Sequence, residues 1–397
     1  MNAPRLVLKP GHDRPVRRHH PWIFSGAVAR IDGPLEDGAV VEVYSSEGEW
    51  LARGYLNRRS QIVARLLTWD PTETVDAAFW ARRIERALAA RRLARLDEVT
   101  NAARLIFAES DWIPGLIVDR YADFLVIQSL TLGIERQKDR LVRILAERCQ
   151  PRGIYERSDL DVRAKEGLPP ADGLRYGVEP PGRVVIHEYG HCFRVDVRHG
   201  QKTGFYLDQR ENRRRVASYL AGARVLNAFS YTGAFAVHAL AAGAEHVVNL
   251  DTSADALREA ALNLHANGFP PSRYENIEGD AFSLLRQLRA NGRRFDAVIL
   301  DPPKFAFAQA HLERAARGYK DINLQALHLI EPGGILVTFS CSGLVSAELF
   351  QKIVFGAAED AGREVQILER LGHAPDHPIR LSFPEGEYLK GLVCRVW

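Results

Sequence analysis

No apolar run in the chain approaches the roughly 18–20 residues that a membrane-spanning helix needs. The opening Met1-Asn2-Ala3-Pro4-Arg5 has no apolar core of the kind that begins a secretory signal. Together these absences predict a cytoplasmic protein with no membrane partner. Cysteine is scarce: Cys149, Cys192, Cys341 and Cys394 are the only four in 397 residues, and none forms a CxxC pair. That argues against a disulfide framework or a cysteine-rich zinc site, fits a reducing compartment, and gives no reason to expect a metal. Neither sign of charge dominates, since 53 basic and 50 acidic residues leave a net +3. A histone-like blanket of positive charge is excluded, but local basic patches are not. Repeats and low-complexity tracts are also missing.

What is present is an ordinary globular composition, 46% hydrophobic and 26% charged, with room for two or three domains. Over the first seventy or so residues, aliphatic and β-branched stretches at 40–44 and 62–67 alternate with turn residues, which predicts a small β-barrel. Asp70-Pro71-Thr72 breaks this pattern, and a helix is expected over 77–90. A hairpin is expected over 116–127 with its turn near Ala122-Asp123, then a helix over 137–148 and a Pro- and Gly-rich loop over 167–182. From Arg224 onward apolar strands alternate with amphipathic helices. The clearest strands are 225–226, 247–250, 297–300 and 335–339, with helices near 234–242, 254–267, 281–291, 318–330 and 344–360. This is the α/β pattern of a doubly wound, mostly parallel sheet.

Such sheets bind ligands outside the carboxyl ends of their strands, so the residues just after each strand form a site map. The first strand is followed by Asn227-Ala228-Phe229-Ser230-Tyr231-Thr232-Gly233, where Gly233 lets the backbone approach a ligand. This is not the GxGxxG of a dinucleotide fold, which disfavours a pyrophosphate ligand. Asp251 ends the second strand and can accept from both ribose hydroxyls. Asp280 follows the third and can accept from an adenine amino group. The plain alternative is that both acids cap helices. S-adenosylmethionine fits the arrangement, because it has a ribose and an adenine but no phosphate.

The fourth strand ends in Asp301-Pro302-Pro303-Lys304. The prolines stiffen the backbone and withdraw two N–H donors, leaving carbonyls free to meet the exocyclic amine of a base. The fifth strand ends in Ser340-Cys341-Ser342-Gly343, which puts Cys341 in the same crevice as Asp301 and makes it a candidate nucleophile. The other cysteines read as packing residues. Carbon 5 of cytosine is a poor nucleophile until a thiolate adds at carbon 6, and an acid near N3 neutralises the charge that develops, a role that suits Asp301.

At these motifs the chain resembles the bacterial 23S rRNA large subunit methyltransferase I family, which makes 5-methylcytidine with S-adenosylmethionine and releases S-adenosylhomocysteine. The likeness runs over the whole length. Its most telling stretches are 20–28, 202–210, 227–233, 295–305 and 338–343. It implies a PUA RNA-binding domain over 1–73, a central α/β domain with a linking helix over 74–198, and a Rossmann-like class I methyltransferase domain over 199–397. It places the catalytic cysteine at Cys341 and base recognition at Asp301, with Asp301 also near the cofactor. It sets Pro302, Pro303 and Lys304 against RNA. Segment 202–213 packs over the cofactor pocket in this family, which adds Tyr206, Asp208 and Gln209 as pocket candidates; a domain-joining loop is the alternative. Asn227 stands where other methyltransferases commonly have an acid. The second cysteine of other RNA cytosine-5 enzymes has no counterpart in 301–304, so product release must work without one.

Arg14, Arg17 and Arg18, beside His19, His20, Trp22 and Phe24, are candidate RNA contacts, as are Arg58-Arg59 and Arg213–Arg215. A solvated charge run is the bland explanation. The expected partner is 23S rRNA, and a homodimer is left open. Competing readings are a methyltransferase acting on an exocyclic base nitrogen, which needs no Cys341, and a non-catalytic ribosome-assembly factor.

Overall fold

The computed structural model describes residues 4–33, 36–159 and 161–397. They divide into one unit made of Met1–Ile186, Val195–Leu207 and Pro375–Gly386, and a second made of His187–Arg194, Asp208–Ala374 and Glu387–Trp397.

In the first unit the aliphatic stretches build a six-stranded sheet in the order Trp22–Phe24, Ile62–Thr68, Trp50–Leu56, Val40–Tyr44, Arg5–Leu8, Val28–Asp32. Alternate residues such as Val41 and Val43 turn inward onto Leu6, Leu8, Ile23 and Leu66. Each such burial contributes about 1.5–3 kcal/mol. A second sheet has five strands, Ala171–Gly177, Gly153–Ser158, Phe124–Ser129, Leu116–Tyr121 and Ala102–Phe107. The hairpin is where the sequence predicts it, with Ala122 taking the left-handed turn position at φ 52°. Helices Ala77–Leu93 and Leu132–Cys149 pack on this sheet through Phe79, Trp80, Ile84, Ile144 and Leu145. The first helix starts at Asp76, whose carboxylate accepts from the Phe79 N–H. One expectation fails here: the stretch read as a loop over 167–182 contains Ala171–Gly177, which pairs antiparallel with Gly153–Ser158. Its residues are mostly exposed, so no buried alternation marked it.

The second unit is built on a seven-stranded sheet. Its strands are β1 (Arg224–Ala228), β2 (His246–Asp251), β3 (Tyr274–Glu278), β4 (Phe295–Leu300), β5 (Ile330–Ser340), β6 (Val365–Leu371) and β7 (Lys390–Val396). The spatial order is β3-β2-β1-β4-β5-β7-β6. The first five run parallel, and β7 is antiparallel to both its neighbours. The helices are α1 (Arg210–Ala217), α2 (Ala234–Ala241), α3 (Ala254–Ala266), α4 (Ala281–Ala290), α5 (Leu312–Leu329) and α6 (Ala347–Ala361). The expected helices are all present, with α5 beginning earlier, at Leu312. Val298, Leu300 and Leu336 of the sheet meet Ile322 and Leu329 of α5 and Phe350 of α6 in one buried core. The order reverses at β1 and β4, the place where a doubly wound sheet opens a crevice for ligand. Among the described residues no helix is long and apolar enough to cross a membrane, and no cluster of His, Cys, Asp and Glu could hold a metal.

Candidate active site

The register of the sheet aligns the site. Ile277, Leu250, Ala228, Leu300 and Thr338 lie side by side across β3, β2, β1, β4 and β5. Whatever follows them therefore emerges along one edge. After Ala228 the chain turns through left-handed residues, Phe229 at φ 60°, Tyr231 at 46° and Gly233 at 75°. A non-glycine residue held there costs about 1–3 kcal/mol, so the surroundings must impose it. Asp251 does part of this: one carboxylate oxygen accepts from the Tyr231 N–H at 2.8 Å and the other from the Ser253 N–H at 3.0 Å. Asp251 does not cap α3, because Ser253 does, with its hydroxyl accepting from the Ala256 N–H. Asp280 does cap α4, accepting from the backbone and hydroxyl of Ser283, both at 3.0 Å. The two acids that looked equivalent in sequence thus differ in structure.

Asn227 points into the sheet layer. Its amide donates to Asn249, which donates to Asn276, which donates to the Leu257 carbonyl of α3, at 2.9, 3.0 and 3.0 Å. In this ladder the Asn227 amide bonds sideways to another amide. The loop is polar beyond its own needs. Asn227 Oδ1, Ser230 Oγ and Thr232 Oγ1 are buried and have no hydrogen-bond partner among the described residues. Buried polar atoms left in this state cost about 1–3 kcal/mol each, which suits a loop made to close around a polar ligand.

On the chemical side, Asp301 follows β4 and accepts from Gln209 Nε2 at 2.9 Å, while Gln209 Oε1 accepts from Asn212 at 2.6 Å. Gln209 thus orients the Asp301 carboxylate. Asp208 is buried and accepts from the Tyr388 hydroxyl at 2.6 Å. Cys341 Sγ lies 3.7 Å from the Pro302 carbonyl, so the two motifs meet. Pro302 is buried, whereas Pro303 and Lys304 are exposed and lead to Phe307, which is 72% exposed with the Lys304 ammonium 5.6 Å above its ring.

Two residues here escaped the sequence reading. Lys390, opposite Ser340 in β7, is buried and donates to the carbonyls of Ser342 at 2.8 Å and Val345 at 2.6 Å. Burial lowers its pKa to about 8, against the upward pull of Glu387 and Cys341. Tyr319 of α5 is buried, and burial raises its pKa to about 12, with the nearby Cys341 and Asp301 contributing. Neither could be found by a search of strand ends, because one comes from the antiparallel strand and the other from a helix.

The remaining candidates lie in the first unit or are engaged elsewhere. Tyr206 is in the first unit and its hydroxyl donates to Gln201. Arg14 and Arg18 are exposed, but Arg17 is claimed by Asp13 at 2.6 Å and by Glu49 at 3.0 Å. Arg58 pairs with Asp37. Arg213 is buried against Glu188, with both bonds at 2.7 Å, and cannot face RNA; only Arg214 and Arg215 of that run are exposed. Burial raises the pKa of the Cys149 thiol and takes that of Cys394 to about 12, as inert packing residues behave.

Residues 6–69 match the PUA-like domain family, and residues 172–389 match the S-adenosylmethionine-dependent methyltransferase family. Ribosomal RNA large subunit methyltransferase I of Aliivibrio fischeri is 51% identical over 393 residues, 98% of this chain and 99% of that protein. The enzyme of the same name from Shewanella denitrificans is 50% identical over 396 residues, with both chains fully covered. The chain belongs to the ribosomal RNA large subunit methyltransferase I family. A Streptococcus mutans protein assigned as an S-adenosylmethionine-dependent methyltransferase has the same fold, at a TM-score of 0.85 and 22% identity over 98% of this chain and 99% of that one. A methyltransferase solved with S-adenosylhomocysteine superposes equally well, with the same score, identity and coverage. As a member of this family the chain is an S-adenosylmethionine-dependent methyltransferase, and the unpartnered polar atoms of 227–232 lie in the loop expected to receive that cofactor.

Proposed function

We propose that this methyltransferase acts on ribosomal RNA of the large subunit, methylating carbon 5 of a cytidine in 23S rRNA through a covalent adduct of Cys341 at carbon 6. The observation that carries this reading is the contact of Cys341 Sγ with the Pro302 carbonyl, next to an Asp301 whose carboxylate Gln209 holds in place. The names of the relatives supply the RNA class.

The cofactor supplies an electrophilic methyl group when bound. Asp251 would take its ribose hydroxyls, Asp280 its adenine amine, and the loop from Asn227 and Phe229 through Ser230, Tyr231, Thr232 to Gly233 would line the pocket, with Asp208 and Gln209 from the segment before α1. The Cys341 thiolate adds to carbon 6, and N3 takes up the electron pair displaced through the ring together with a proton from the Asp301 carboxyl in its protonated form. Carbon 5, now an enamine carbon, takes the methyl group. A base then removes the carbon 5 proton, the electron pair of that bond expels the thiolate, and N3 returns its proton to the Asp301 carboxylate. Pro303 and Lys304 face the RNA, and the buried Pro302 offers its carbonyl beside Cys341. The buried Lys390 ammonium serves the thiolate, both by its charge and by holding the Ser342 and Val345 carbonyls of the loop that follows Cys341.

Mass analysis of nucleosides from 23S rRNA treated with enzyme and cofactor tests the reading. 5-Methylcytidine is expected, and Cys341→Ala should abolish it while S-adenosylhomocysteine binding stays within a few-fold. A methyl group on an exocyclic nitrogen, or turnover retained by Cys341→Ala, rejects the covalent route.

A further inference from the structure

The first unit carries a stack of rings and guanidinium groups that reaches well past the PUA-like match. His19 lies on Trp69 at 4.9 Å with planes 19° apart. Arg380 sits between two indoles, 5.1 Å from Trp69 and 4.9 Å from Trp112, and Arg86 covers Trp112 at 4.0 Å. The five groups come from four stretches of chain: the N-terminal sheet region, the helix Ala77–Leu93, the turn at Trp112, and segment Pro375–Gly386. That last segment follows β6 and precedes β7 in sequence, yet it packs within the first unit. Trp69 is fixed by donating to the Val16 carbonyl at 2.8 Å, and Arg380 by donating to the His19 carbonyl at 2.7 Å.

The charge is unbalanced. Neither Arg86, Arg380 nor the adjacent Arg18 has a carboxylate partner among the described residues. Glu109, the acid whose charge reaches Arg380, is already met by Trp22 Nε1 at 2.8 Å and Arg65 at 3.8 Å. Burial, together with Arg83 and Arg86, pulls the Arg380 pKa down to about 10, the behaviour of a cation crowded by cations. Beside the stack, the side chain of Leu381 is wholly exposed. Exposed His19, Arg18 and Arg86, an apolar ledge and a buried Arg380 that holds the two indoles together match the needs of a single-stranded nucleic acid: bases that stack and phosphates that need neutralising.

We propose that the groove around His19, Trp69, Arg380, Trp112 and Arg86 binds a single-stranded stretch of RNA, with a base against the indole and guanidinium faces and a flanking phosphate on Arg86. It rests on the reading of the enzyme as one that acts on RNA, and adds a holding site made partly from the helix Ala77–Leu93 and from segment Pro375–Gly386.

The test is the anisotropy of a fluorescein-labelled single-stranded RNA oligonucleotide titrated with the full chain across a salt series. The double variant Arg86→Gln/Leu381→Asp changes exposed residues only. It should flatten the slope of log affinity against log salt by about 0.7, the value of one phosphate contact on a single strand. Trp112→Leu keeps an apolar side chain but loses the stacking face, and should weaken binding about fivefold or more. S-adenosylhomocysteine affinity should be unchanged in the double variant. If that variant binds RNA with wild-type affinity and slope, the stack merely fastens segment Pro375–Gly386 and the proposal falls. Equal binding of a polyglutamate peptide, lost in the same variant, would make the groove a general anion site and overturn it too. Absence of methylated cytidine with wild type would reject the catalytic reading and leave this binding result standing.

Discussion

Asp251 fixes the strained Tyr231 backbone, and each of its oxygens keeps a further lone pair, the capacity that the proposed ribose contact needs. Hydrogen bonds to charged groups contribute about 1.5–3 kcal/mol each, so Asp251→Ala should lower S-adenosylhomocysteine affinity at least about tenfold by calorimetry. Unchanged affinity in a folded variant would reduce Asp251 to a loop tether. Lys390 presents the opposite problem, a buried cation whose partners are neutral carbonyls. Its ordinary pKa of 10.5 falls to about 8 in the fold. The native state therefore binds fewer protons than the unfolded chain between those values, so its burial opposes folding below about pH 8 and that penalty is relieved as pH rises toward 10.5. Lys390→Met should remove this pH dependence from stability. It should also move the acid limb of the kcat/KM profile to higher pH and slow alkylation of Cys341 at neutral pH, because the thiolate loses its cation. A profile and alkylation rate identical to wild type would show that Lys390 only braces the loop.

Elements were legible where burial imposed a period. The parallel strands β1, β2, β4 and β5 are buried apolar runs between amphipathic helices, and the Asp-Pro-Pro and Ser-Cys-Ser motifs sit at their ends as the topology requires. Strand Ala171–Gly177 was not legible, since Ala-Asp-Gly-Leu-Arg-Tyr-Gly is exposed and owes its strand form to the neighbour it pairs with. The role of Lys390 was hidden for a related reason: antiparallel pairing from β7 brings it under the Cys341 loop, and no local spacing encodes that. The helix-cap alternative fails for Asp251, because Ser253 caps α3, and holds for Asp280. Gly233, by contrast, was readable, and the structure gives the reason. It stands at φ 75°, and a Cβ there would lie 2.9 Å from Cβ of Ala260 in α3. Gly233→Ala should destabilise the second unit by about 1–3 kcal/mol. That is a fall in Tm of about 2–4 °C per kcal/mol, and it should come with weaker S-adenosylhomocysteine binding. An unaltered melting curve and affinity would mean that the turn between β1 and α2 tolerates a side chain.

Across the whole molecule the small net charge of +3 conceals how the arginines are used. Many are spent on structure. Arg213 is buried on Glu188, whose carboxyl stays well below its usual pKa despite burial because Arg213 and His238 face it. Arg91 grips Asp111, and Arg104 grips Asp119 through two bonds of 2.8 Å. The chain can bind a polyanion only with cations that carboxylates have not already claimed. By this argument the N-terminal cluster divides. Arg17 is held by Asp13 and Glu49, which raise its pKa, and a phosphate would have to displace them. Arg14 and Arg18 are exposed and have no ion pair among the described residues. The expected outcome for RNA affinity across a salt series is therefore unequal. Arg14→Ala and Arg18→Ala should each flatten the slope by about 0.7, and Arg17→Ala should leave it nearly unchanged. Since Asp13 and Glu49 would then be left without their cation, Arg17→Ala should lower affinity mainly at low salt and flatten the slope far less than the loss of a phosphate contact does, through the screened field of two freed acids. Equal slope changes for all three arginines would show that RNA pulls Arg17 out of its ion pairs, and the count of free cations would then understate the binding face.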